Sequence, residues 1–121
     1  MANPNIKNMT TVNGQTVAIV APTTPSGFLT NSSSSNKVYK INLLNASNID
    51  TVNAISVSLN LVRSVVAPTG TYSIITSVDV PAKATISLLD RPLYLNEGDS
   101  VSVNAGGSNK IHIVASYEDI S

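Results

Sequence analysis

The chain has few side chains that could carry out chemistry, because it contains a single histidine, His112, and no cysteine. A serine–histidine–acid triad would have to use that histidine. Without a second histidine or any thiolate, the usual ligands of zinc and copper are also missing. His112 stands in the alternating run Lys110–Tyr117, on the face opposite its apolar residues. We therefore predict a surface or interface histidine, no catalytic residue and no cofactor.

Three carboxylates border the short segment Leu93–Leu95 and could bind a cation: Asp90, Glu97 and Asp99. Calcium prefers several oxygen ligands, and Asn96 could add another. The spacing matches no EF-hand loop, however, and acidic residues beside a glycine commonly turn the chain into a strand. We therefore interpret the three carboxylates as turn residues that accept hydrogen bonds from nearby backbone. We predict no metal and keep a cation site as the alternative.

Aromatic side chains are scarce, which limits the ways in which the chain could bind a sugar. There are four tyrosines and one phenylalanine. Tyr39, Tyr72 and Tyr117 fall on the strand faces that we assign to the core, whereas Tyr94 is free to offer its ring to a ligand. A carbohydrate-binding or host-surface-binding module therefore stays an alternative, with Tyr94 as its stacking residue.

Composition and charge argue against several classes of partner. The 121 residues carry seven basic and seven acidic side chains, so the formal net charge is zero. Binding to nucleic acid or to an anionic membrane surface needs a basic face, and no apolar run approaches the roughly 20 residues of a membrane-spanning helix. The N-terminus lacks the charged and apolar regions of a signal peptide. We expect no nucleic acid and no membrane as partners, and synthesis in the cytoplasm of the producing cell.

The surface is expected to be polar but almost uncharged. Charged residues make up 12% of the chain, against about 25% in ordinary domains, while Ser, Thr and Asn are abundant. Hydroxyl and amide side chains cover a surface without repelling identical neighbours. This composition favours a protein that packs densely against copies of itself or against a large partner. The alternative is simply a soluble β-domain with an unusual surface.

Alternating apolar residues indicate β-strands along most of the chain. The clearest pattern lies in Ala54–Arg63, and similar runs follow in Asp99–Asn104 and Lys110–Tyr117. The predicted core contains Ile55, Val57, Leu59, Leu61, Val101, Val103, Ile111 and Ile113. In residues 37–44 the same alternation points Tyr39, Ile41 and Leu43 inward.

These strands define the predicted fold class. About eight or nine short strands, separated by frequent turns, are typical of a sandwich or barrel. No stretch repeats apolar residues at helical spacing, so we predict no substantial helix. The fold is therefore all-β: a single-domain antiparallel β-sandwich at residues 13–121, preceded by an N-terminal arm or edge strand at residues 1–12. Strand spacing does not decide between a jelly roll and an immunoglobulin-like Greek key.

Two turns that contain glycine predict hairpins. Asn13-Gly14 is a strong hairpin pair because both residues accept positive φ, and it would join Ile6–Val12 to Gln15–Ala21. Gly106-Gly107 would join the last two strands in the same way. Both predictions place consecutive strands side by side in one sheet.

The last part of the chain resembles small virion structural proteins of tailed bacteriophages, particularly those of marine and cyanobacterial hosts. The resemblance lies in Pro81-Ala82, the run ISLL from Ile86, the segment Pro92–Ser100 (PLYLNEGDS) and the closing Val114–Ser121 (VASYEDIS). It implies a β-sandwich subunit on a phage particle, either decorating the capsid or belonging to the neck or tail. Such proteins act by repetition and contact, so they need no catalytic residues.

We therefore predict a non-enzymatic virion protein, foremost a capsid decoration or cement subunit that stabilises the assembled particle. Its partners would be the major capsid protein or a neck or tail protein, and copies of itself in a homo-oligomer, with a trimer as the predicted state. A neck or tail protein and a sugar-binding module are the alternatives. Oligomeric state separates them, because a sugar module is often an independent monomer.

Overall fold

The computed structural model of the chain describes residues 11–121, which form nine β-strands and contain no helix. The strands are β1 (Val12–Val20), β2 (Ser26–Thr30), β3 (Val38–Asn48), β4 (Ile55–Arg63), β5 (Gly70–Val80), β6 (Thr85–Ser87), β7 (Leu93–Leu95), β8 (Asp99–Ala105) and β9 (Ile111–Ile120). No helix in this part of the chain is long and apolar enough to cross a membrane.

The strands form two antiparallel sheets that pack as a sandwich, as predicted. Sheet A has the order β1-β9-β3-β6, with β7 also paired to β3, and sheet B has the order β2-β8-β4-β5. Most consecutive strands lie in opposite sheets, and only β4 and β5 form a hairpin within one sheet. This alternation is the jelly-roll topology, so the structure decides between the two predicted arrangements.

Two short connections define the flanks of the sandwich. Residues 21–25 join β1 to β2, and residues 81–84 join β5 to β6. Each connection links the border strand of one sheet to a border strand of the other. Because the connections are short, the linked borders lie on the same side of the molecule. We call these sides the β1–β2 flank and the β5–β6 flank.

The core lies between the sheets and contains the predicted residues. Six of the eight are buried, and Ile55 and Leu61 are half-buried and pack against them. The buried six are Val57, Leu59, Val101, Val103, Ile111 and Ile113, each no more than 1% exposed. Alternation therefore identified the inner faces of β4, β8 and β9 correctly.

The hairpin predicted at Asn13-Gly14 is wrong. Both residues lie inside β1, where they pair with Asp119 and Glu118 of β9. The ladder between β1 and β9 runs without a break from Val12 to Val20. An uninterrupted ladder of that length holds the pair in extended backbone, and this outweighs its local preference for a turn. The predicted partner strand from Ile6 lies largely outside the described residues.

The hairpin predicted at Gly106-Gly107 is also wrong, because these glycines carry the chain from sheet B to sheet A. β8 pairs with β2 and β4, whereas β9 pairs with β1 and β3. Gly106 donates its N–H to the carbonyl of Ser56 at 2.9 Å, and a Cβ there would collide with the Ser56 hydroxyl. The glycine is thus needed for close approach to β4. The positive φ of this connection belongs to Asn109.

The inward direction predicted for Leu43 is wrong, because β3 contains a bulge. Ile41 pairs with Tyr117 and Leu43 with Ser116, so Asn42 is an extra residue. The extra residue shifts the alternation by one position. Leu44 therefore becomes fully buried, and Leu43 is left 40% exposed.

Candidate subunit interface

His112 lies on the outer face of sheet A and is exposed. It borders a shallow depression at the end of β1, lined also by Ala18, Ile19, Val20, Ile113 and Val114. None of these neighbours carries a hydroxyl or a carboxylate. Across the β3–β9 ladder His112 pairs with Ser47, whose hydroxyl is hydrogen-bonded to the hydroxyl of Thr85 at 2.8 Å. Among the described residues, no three side chains of the metal-binding types come together.

Asp99 is fully buried and forms an ion pair that joins β8 to β4. The Arg63 guanidinium donates to both of its oxygens, Nε to Oδ1 at 3.1 Å and Nη2 to Oδ2 at 3.0 Å. The backbone N–H of Asn96 donates to Oδ2 at 3.0 Å. The hydrogen bonds to Asp99 raise the pKa of Arg63. Both carboxylate oxygens are therefore committed to holding the turn that begins β8.

Glu97 is 3% exposed and ties the β2–β3 loop to the same turn. Its Oε2 accepts the N–H of Asn36 at 3.1 Å, and its Oε1 has no hydrogen-bond partner within the described part of the chain. Beside it, the fully buried Asn31 donates its side-chain N–H groups to the carbonyls of Lys37 and Leu95, both at 2.9 Å. These contacts fix the loop that the sequence shows only as a polar run.

Gly98 occupies the left-handed region of this turn, with φ of 82°. A Cβ at this position would overlap the Val65 side chain, so the turn needs a glycine for space as well as for conformation. Asp90, the third predicted carboxylate, is exposed in the β6–β7 connection and takes no part in these hydrogen bonds. The structure thus brings together Glu97 and Asp99 but leaves Asp90 apart.

We expect a chelator to leave the thermal stability unchanged. Asp99 is committed to Arg63 and to the turn, and among the described residues no three side chains of the metal-binding types come together, so too few oxygen ligands remain for calcium. Thermal unfolding with and without EDTA, and again after calcium is added, tests this. A chelator-dependent fall in Tm would contradict it, because a cation that binds only the folded state stabilises that state by mass action.

Tyr94 lies on β7 and is 41% exposed. It stands beside Lys40 of β3. The rings of Tyr39 and Tyr117 pack against each other, with their centroids 5.1 Å apart. Tyr72 is as exposed as Tyr94, although its face was predicted to be covered. The reason for its exposure lies in the shape of the β5–β6 flank.

β5 is a border strand that no described strand covers on its outer edge. Of its eleven residues, only Val80 is buried and only Ile75 is half-buried. It carries no charge from Gly70 to Val78, and Asp79 is its only charged residue. Natural monomers usually protect such an edge with lysine, proline or a bulge.

The inner face of β5 carries apolar side chains that the facing sheet leaves partly uncovered. Tyr72, Ile75 and Val78 pair with Leu61, Leu59 and Val57, so they point to the same side as the core. The facing border of sheet A consists of two three-residue strands, β6 and β7, which are too short to cover eleven residues. Tyr72 and Val78 therefore remain 41% and 42% exposed. We call Tyr72, Ile75 and Val78 the β5 groove.

Two irregularities interrupt the ladder between β5 and β4. Leu59 pairs with Ile75 and Asn60 with Ser73, which leaves Ile74 as an extra residue. A second shift follows Ile75, between Ile75 and Val78, where Ser77 has a φ of 48° and donates its N–H to the Ser58 hydroxyl at 2.9 Å. These bulges blunt the backbone edge, but they leave the apolar side chains of the groove exposed.

No protein-family model and no curated protein sequence matches the chain. Among solved structures, the chain is similar to a protein of Bacillus endospore appendages, described as a novel family of disulfide-linked pili. The two share 14% sequence identity with a TM-score of 0.52, over 99% of this chain and 92% of that chain. At this identity the likeness establishes the fold: an all-β sandwich of two antiparallel sheets.

Proposed function

We propose that the protein is a non-enzymatic structural subunit that associates with copies of itself and acts through repeated contacts in a larger assembly. The observation that carries this proposal is the β5 groove, whose apolar side chains point inward from a border strand and yet stay exposed or half-exposed. Burying those side chains against another chain would be favourable, at about 25 cal/mol for each Å² of apolar surface removed from water.

The remaining surface supports the same function. β1, the border strand of the other flank, also carries no charged residue from Val12 to Val20. The formal net charge of the chain is zero. Copies of the chain can therefore approach each other without long-range repulsion.

The structural neighbour is a pilus protein, and its assemblies are described as disulfide-linked. This chain has no cysteine, so the same kind of covalent link is not available to it. Without disulfides between copies, the uncovered β5 groove and the strand edges become the surfaces that matter for assembly.

The finer proposal is a virion protein, foremost a capsid decoration subunit, with a neck or tail protein as the alternative. Its support is the resemblance of the last third of the chain to phage structural proteins. We propose a closed homotrimer that contacts the major capsid protein through its loops. Cryo-electron microscopy of particles from the source tests this placement: density for the sandwich on the shell supports it, and particles without the protein contradict it.

Removing residues 1–10 should abolish self-association and leave the fold intact. Thr11 and Val12 must be kept, because they pair with the end of β9. The matched control replaces the ten residues by a glycine–serine segment of equal length. We expect both variants to sediment as monomers that unfold cooperatively, with a Tm below that of the intact oligomer because the stabilisation by association is lost. Unchanged oligomers in both would show that the N-terminal segment plays no part.

A further inference from the structure

We infer that the β5 groove is the receptor for residues 1–10 of a second copy of this chain. The inference rests on the proposed self-association and names the surface and the segment that would form the contact. β6 and β7 are too short to cover the β5 groove, and residues 1–10 of a neighbouring copy would cover it instead.

The position of Thr11 sets the geometry. Its N–H donates to the carbonyl of Ser121 at 3.0 Å, and the N–H of Ser121 donates back to the carbonyl of Thr11 at 2.9 Å. The preceding ten residues therefore start from the β1–β2 flank, whereas the groove lies on the β5–β6 flank. Ten extended residues span roughly 33–36 Å. That is enough to leave one copy and run along the groove of the next.

The chemistry of the segment fits the groove. Within residues 1–10 the large apolar side chains are those of Met1, Ile6 and Met9, and Lys7 carries the only charged side chain. A segment that adds to a sheet edge gains main-chain hydrogen bonds from the strand and specificity from side-chain pockets. Because bulges interrupt β5, the ladder would be short. In an extended segment Ile6 and Met9 point to opposite faces, so Ile6 would enter the groove, and its apolar contacts would supply a large share of the binding.

β1 is a weaker receptor, although its edge is regular and uncharged. Its exposed large apolar residues are Val12 and Val20, at opposite ends of the strand. The stretch between them begins with Asn13, Gly14, Gln15 and Thr16, which offer no apolar pocket, and the apolar depression beside Val20 is confined to one end of the strand. β1 is also the strand that the segment itself continues.

The contact would be heterologous, because the segment of one copy meets a different surface on the next. Heterologous contacts either close into a ring or continue as a filament. The proposed trimer is the closed case, in which each copy donates one segment and accepts another.

Disulfide trapping in the full chain tests the inference, since the natural protein has no cysteine. Ile6→Cys is mixed with Val78→Cys, and separately with Val20→Cys, under mild oxidation, and heterodimers are counted on a non-reducing gel. Val20 is the matched control, a valine on the opposite flank that is 47% exposed against 42% for Val78. A docked segment holds its thiol at millimolar effective concentration, so at micromolar protein we expect the Val78→Cys mixture to give about tenfold more heterodimer or better.

The outcomes separate this inference from the proposed function. Equal trapping at both positions, or more at Val20→Cys, would overturn the groove as receptor. So would oligomers in sedimentation without any trapping at Val78→Cys, although self-association would then stand. Monomers without trapping would overturn both. As a second measurement, Val78→Lys should dissociate the oligomer, whereas Val20→Lys should leave it intact.

Discussion

Replacing Leu59 by alanine should lower the free energy of unfolding by about 2–5 kcal/mol. Leu59 is fully buried on β4, a central strand of sheet B, where it lies between Val103 of β8 and Ile75 of β5. The substitution removes buried apolar surface and leaves a cavity, because two hydrogen-bonded neighbours prevent the strand from moving in to fill the space.

Denaturant unfolding of the two proteins gives this difference directly. The matched control is Leu43→Ala, the same substitution at a leucine of β3 that is 40% exposed. Leu43 keeps much of its contact with water in the folded state, so its replacement by alanine should lower the free energy of unfolding clearly less. Equal costs at the two positions would show that β4 does not lie in the core.

Replacing Arg63 by methionine should lower the free energy of unfolding by about 3 kcal/mol. The change removes both charged hydrogen bonds to Asp99 and leaves that fully buried carboxylate with the N–H of Asn96 alone. This decrease lies at the lower end of the range expected when one partner of a buried ion pair is removed. The reason is that the Arg63 side chain is 23% exposed, so water already screens its charge in part.

Two variants show whether the effect comes from the buried charge. Lys37→Met breaks the ion pair with Asp119, but Lys37 is 42% exposed, so its loss should have a distinctly smaller effect. In the double variant Arg63→Met with Asp99→Leu, the stranded charge is removed and part of the stability should return. An Arg63→Met protein as stable as Lys37→Met would contradict the role given to this pair.

The core was predictable from the sequence because burial follows the period of two along each strand. The same rule could not assign strands to sheets. β8, which contains Val101, and β9, which contains Ile113, each have one buried face. A strand has such a face whichever sheet it belongs to, so burial alone does not assign it. Gly106-Gly107 therefore resembled a hairpin, although the chain crosses there from one sheet to the other.

Local preferences failed where longer ladders or extra residues override them. Asn13-Gly14 favours a tight turn, but pairing with β9 along all of β1 holds it extended. Leu43 fits the inward alternation until Asn42 adds one residue to β3. Nothing in the residue types of either segment distinguishes these outcomes.

The candidate sites were predictable only in part. Asp99 was identified as a turn residue, but its partner Arg63 stands 36 positions earlier, and the sequence alone does not join them. The inward face of Tyr72 was also predicted, whereas no face was predicted for Val78. Their exposure was not predicted, since it depends on how far the facing strands extend. One sequence feature pointed to short facing strands. The segment after Ser87 is interrupted by Asp90, Arg91 and Pro92.

Sedimentation equilibrium of the intact chain at high micromolar concentration tests the central claim of self-association most directly. The account predicts a single species with three times the mass of the chain. A clean monomer over the whole concentration range would contradict it, because an uncovered apolar groove with a matching segment on every copy should then have found its partner.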